Sequence, residues 1–146
     1  MAIKQLQMVA KLEKDKEDKL VREFQQAQQN LQENKQKLGG IEQYRTEYIH
    51  QLQNKANDGI NVNSYSHYQA FISKLEEAIT QQSQVILTAT QVVEQRKTLW
   101  LEQQRKRKAV EMLVEKHWEK QREKEGRAEQ ALLDEIATQK FFQSRR

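Results

Sequence analysis

The segment "NDGINVNS" at residues 57–64 gathers Asn, Asp, Gly and Ser between two long stretches rich in Gln, Glu, Lys and Leu. In a chain of 146 residues with no proline and four glycines, this is the clearest turn signal. Asp58 and Gly59 favour a positive-φ turn, and Asn63 or Ser64 can cap a new helix whose first turn starts near Tyr65. What the turn joins depends on the periodicity on either side of it.

Upstream, alternating steps of three and four residues connect Ile3, Leu6, Ala10, Leu20, Phe24, Ala27, Leu31, Leu38, Ile41, Tyr48 and Leu52. Glu13, Glu17, Asn34 and Arg45 interrupt this register with polar side chains. Downstream, the same stepping runs through Tyr68, Ile72, Leu75, Ile79, Gln82, Ile86, Ala89, Val93, Arg96, Trp100, Gln103, Arg107, Val110 and Val114. A repeat of 3.5 residues sustained this long is a coiled-coil seam, in which polar positions lower stability and can specify register. The expected fold is therefore all-α: one long antiparallel two-helix coiled-coil hairpin, with a helix over 2–56, the turn at 57–64 and a longer helix over 65–142. Equal rise on both arms pairs position 2 with roughly position 118, so a C-terminal overhang begins at about residue 120. Gly39 and Gly40 lie inside the first helical pattern, where a bend or local fray is expected but no boundary.

Composition agrees with helices that share little core. Hydrophobic residues make up 36% and charged residues 32% of the chain, and the mean hydropathy is −1.02. That is the profile of coiled coil or disorder, and the periodicity favours the former. The absence of cysteine removes disulfides and thiolate metal sites. No run of 18 apolar residues occurs, so direct membrane insertion is not expected. The net charge is +4, but acids and bases alternate along most of the chain, which favours solvated helical faces over a nucleic-acid surface. "RKRK" at 105–108 is flanked by Glu102 and Glu111 and lacks interleaved aromatics, so no nucleic-acid partner is expected.

Catalytic chemistry has little to stand on. His50, His67 and His117 are isolated, and neither a metalloprotease helix motif nor a phosphate-cradling glycine loop nor a nucleophile elbow occurs. His50 and His67 flank the bend, but two histidines without further ligands make a poor metal site. The expectation is a non-enzyme without cofactor or metal.

Two surfaces exceed the seam. Phe71, Ala78 and Val85 widen the apolar stripe at the start of the second helix, and Phe71, Leu75, Ala78 and Gln82 fall on one side of it. The overhang carries Ala128, Leu132, Leu133, Ile136 and Phe141 at near-helical spacing, with no partner inside the hairpin.

The stretch from Tyr44 to Gln82 carries a family likeness in "EQYRTEY", "GINVNSY" and "HYQAFISKLEEAI". It resembles the FliJ family, soluble coiled-coil components of the bacterial flagellar type III export apparatus. The resemblance implies a cytoplasmic protein, peripheral at the inner membrane, that joins a hexameric flagellar export ATPase to the cytoplasmic domain of the export-gate membrane protein and also meets export chaperones. The family's gate-binding face matches Phe71, Leu75 and Ala78. Its fourth position, a histidine in one form of the family, is Gln82 here, which keeps hydrogen-bonding ability without titrating near neutral pH. The ATPase-facing end is expected among the terminal residues, with Arg122, Lys124, Arg127, Leu132 and Ile136 as candidates. Two other readings of the same faces are an export-chaperone escort outside the ATPase cycle and a generic structural coiled-coil adaptor.

Overall fold

The computed structural model describes residues 2–145. It contains two helices and no strand among them: α1, Ile3–Asp58, and the longer α2, Val62–Ser144. They pack antiparallel as a helical hairpin.

The turn is shorter than the sequence suggests. Asn57 and Asp58 complete the last turn of α1, and Gly59, Ile60 and Asn61 make the connection, with Gly59 at φ 93° and its N–H donating to the Ala56 carbonyl at 3.4 Å. The cap is Asn61, not Asn63 or Ser64: its Oδ1 accepts the Ser64 N–H at 2.8 Å, and its carbonyl accepts the Tyr65 N–H at 3.1 Å. A side-chain oxygen placed this way satisfies a donor that the first helical turn otherwise leaves open, so α2 begins three residues earlier than expected. Lys55, in the last turn of α1, lies over the Tyr68 ring at 4.9 Å and ties the two helices beside the turn. A Cβ on Gly59 would meet nothing within 4 Å, so Gly59→Ala isolates the backbone cost of a left-handed residue. Thermal unfolding should show a loss of about 1 kcal/mol.

Gly39 and Gly40 are helical, and α1 continues through them without a fray. Contacts group the chain into two units, one of residues 19–101 and one combining the residues up to Asp18 with those from Glu102 onward.

In the unit of residues 19–101, the apolar seam closes on the buried Ala89 and Val93. Phe24 stacks on Trp100 with ring centroids 5.5 Å apart and 22° between planes. Near the turn, Tyr48 packs on Phe71 at 4.5 Å and on Tyr68 at 5.6 Å, with Tyr44 on the rim. A buried polar layer interrupts the unit: the Gln82 amide donates to both the carbonyl and the Oδ1 of Asn34, at 3.0 Å each.

The terminal unit is built around two further polar layers. The Gln103 amide donates to the Glu13 carbonyl at 3.0 Å and to its carboxylate. One turn along, buried Glu17 accepts from Arg107, which also donates to Glu111 at 2.8 Å. Thus Glu13, Glu17 and Asn34 in α1 each meet a polar partner at a predicted seam position of α2. A buried charge or amide is tolerated only when paired, so these layers favour one register over slipped ones. Every seam residue named from the sequence is buried or half-buried.

Candidate functional site

The face suggested by the family resemblance sits in the unit of residues 19–101, and its four residues are not equivalent there. Phe71, Leu75 and Ala78 are half-buried on α2. Phe71 already has aromatic company, with Tyr48 at 4.5 Å and Tyr44 edge-on at 6.0 Å. Tyr44 remains 47% exposed, so the surface at this point is made by both helices. Gln82 lies beneath that surface: it is buried and its amide protons are committed to Asn34. The structure therefore brings Phe71, Leu75 and Ala78 together as a surface and places Gln82 in the seam below them.

The apolar flank runs further than those residues. At seven-residue intervals α2 carries Phe71, Ala78, Val85, Val92 and Leu99, all on one side of the seam. Between Val85 and Val92 the flank forms the wall of an open groove of about 390 Å³, whose other wall is Ala27 and Asn30 of α1. Val85 is 45% exposed there. Repetition at seven is visible in the sequence once the seam is fixed, but Val92 and Leu99 look like seam neighbours until the hairpin shows which side faces α1.

The ATPase-facing candidates all lie on α2 in the terminal unit, where every described residue from Trp118 onward is exposed. Leu132 and Ile136 lie four residues apart on the helix and are exposed, as are Leu133 and Phe141. Arg122 donates to Glu115 at 3.2 Å, and Arg127 pairs with Glu123 at 3.6 Å. Exposed pairs of this kind add little stability. By helical spacing Arg122 stands on the opposite side of α2 from Lys124 and Arg127, so the three do not form one patch.

The electrostatics of the terminal unit are set by the polar layers. The hydrogen bond from Gln103 holds the Glu13 carboxyl below its ordinary value, helped by nearby Lys16, against the opposing effect of desolvation. Glu111, then Glu17, push Arg107 above the usual guanidinium value. Because the Glu13 carboxyl is depressed in the folded state, its contribution is present above the ordinary carboxylate pKa and fades as pH falls through the folded value. Among the described residues no cluster of three or more His, Cys, Asp or Glu side chains could hold a metal ion, and no helix is long and apolar enough to cross a membrane.

The family model described as "Flagellar FliJ protein" matches residues 2–146. The curated "Flagellar FliJ protein" of Escherichia coli (strain K12) is 31% identical over 125 residues, covering 86% of this chain and 84% of the relative. No solved structure matches. With a family match across nearly its whole length and a relative at this identity, the chain belongs to the flagellar FliJ family.

Proposed function

We propose that the protein works in flagellar type III protein export, as a stalk-like coiled coil that links the hexameric export ATPase to the cytoplasmic domain of the membrane export gate. Membership of the flagellar FliJ family across residues 2–146 carries this reading. In it, the protein hydrolyses nothing and transmits or organises the work of another protein's ATP hydrolysis. The half-buried stripe of Phe71, Leu75 and Ala78 serves the gate, and Gln82 holds the seam beneath it. The terminal end of α2 serves the ATPase through its exposed charged and apolar residues. Export chaperones are further partners, and the site of action is the cytoplasmic side of the inner membrane.

Steady-state ATP hydrolysis by the cognate export ATPase, titrated with this protein, tests the reading. The expected result is stimulation that saturates near one chain per ATPase hexamer. Removal of residues 121–146 should reduce that stimulation at least about fivefold while the helical signal of the remaining chain is retained, since the deleted residues lie where no described side chain is buried. Gate or chaperone binding without stimulation would favour an escort outside the ATPase cycle. Full stimulation by the truncated chain would move the ATPase contact elsewhere.

A further inference from the structure

The connection between the helices holds the chain's one Asp–Gly pair. Asp15, Asp18 and Asp134 are followed by Lys or Glu and lie inside helices, where the next amide is held in the backbone ladder. Asp58 is the last residue of α1 and is exposed, and Gly59 beyond it is exposed at φ 93°. The Gly59 N–H reaches the Ala56 carbonyl at 3.4 Å, longer than an ordinary N–H···O bond. Nothing lies within 4 Å of the position that a Cβ on Gly59 would take. The pair borders an open groove of about 320 Å³ shared with Lys55, Asn61, Ser64 and Tyr68, so water reaches it freely. Asn63, two residues into α2, is placed differently: the Ser64 N–H that follows it is committed to Asn61 Oδ1 at 2.8 Å.

We infer that Asp58 is a site of spontaneous covalent modification, at which aspartate becomes isoaspartate. The Gly59 nitrogen attacks Cγ of the Asp58 carboxyl group; the amide proton and the carboxyl hydroxyl leave as one water, and a five-membered succinimide closes. Water then opens the ring. Addition at Cγ breaks its bond to nitrogen and restores aspartate. Addition at the former main-chain carbonyl breaks that C–N bond instead, so the chain now runs through Cβ and Cγ to Gly59 and the freed α-carboxylate becomes the side chain. One water is lost and one gained, and no co-reactant is needed. The uncharged carboxyl supplies the leaving hydroxyl, so conversion slows as pH rises. Glycine matters because no Cβ shields the attacking nitrogen. Position matters equally, since closure requires the Asp58 backbone to leave its helical conformation. At the final residue of a helix this is a local fray, whereas an interior aspartate would have to open the ladder on both sides. The product carries one more main-chain atom between Lys55, which lies over the Tyr68 ring at 4.9 Å, and Asn61, which caps α2. Both ties beside the turn must then be remade.

The test is incubation of the full-length protein for weeks in warm buffer, mildly acidic in one series and mildly alkaline in another. Tryptic digestion and electron-transfer fragmentation of the peptide from Ala56 to Lys74 then distinguish the two isomers at residue 58. A carboxyl methyltransferase that labels isoaspartate from S-adenosylmethionine counts the converted chains independently, and circular dichroism controls for helix content. Isoaspartate should accumulate at residue 58 and at no other aspartate, faster in the acidic series, through an intermediate lighter by one water. Gly59→Ala should slow it at least about tenfold, because a Cβ then shields the nitrogen. Asp58→Glu should stop it, since the ring would need six members. Asp58→Asn keeps the shape and should convert faster, with ammonia leaving in place of water. If residue 58 stays unconverted in the folded chain, whether or not the isolated peptide converts, the inference fails. Conversion no faster there than at Asp15, Asp18 or Asp134, or unslowed by Gly59→Ala, would also overturn it.

Discussion

Trp100→Ala should destabilise the hairpin by about 2–3 kcal/mol, the largest expected loss from one side chain. The indole stacks on Phe24 across the seam at 5.5 Å, and truncating a buried tryptophan ordinarily costs about 3–5 kcal/mol. Half-burial here reduces that range. Among the described residues the indole Nε1 is buried without a hydrogen-bond partner, so Trp100→Phe removes an unsatisfied donor while keeping a ring for Phe24. That variant should lie within about 1 kcal/mol of the wild type. Urea unfolding followed by circular dichroism measures both. Equal losses in the two variants would show that the indole edge, not the stack, carries the stability. In a protein whose fully buried apolar residues are few, a loss of this size is a large share of the total.

The second large effect falls on function. Phe71→Asp combined with Ala78→Asp should reduce binding to the cytoplasmic gate domain at least about tenfold in a pull-down or titration, because two carboxylates would then have to lose water against an apolar partner. Phe71 also supports Tyr48 at 4.5 Å, so the double variant loosens the aromatic cluster beside the turn. Ala78→Asp alone separates the effects: Ala78 lies outside the seam, and its substitution should weaken gate binding while leaving the melting transition nearly in place. Undiminished binding by both variants, with helix content unchanged, would remove this face from the proposal.

The hairpin is legible in the sequence because its two determinants are local and periodic. The repeat from Ile3 to Leu52 and from Tyr68 to Val114 needs no knowledge of the partner helix, and those residues do face the seam. The bend is legible to within a few residues. Its details are not, since Asn63 and Ser64 carry capping side chains as well, and only the backbone path shows that Asn61 is the cap. Gln82 shows a different limit. Its spacing places it both at a seam position and on the side of Phe71 and Ala78, and only the hydrogen bonds to Asn34 show where its amide is spent.

The polar layers also bear on company the hairpin does not keep. A cell contains many heptad sequences, and a seam made only of leucine and isoleucine would accept strands from any of them. A foreign helix that displaced α2 would have to supply a cation opposite Glu17 and amides opposite Glu13 and Asn34, at the spacing of Arg107, Gln103 and Gln82. Without them it would strand a carboxylate away from water, a penalty that rejects wrong partners more strongly than the correct layers reward the right one.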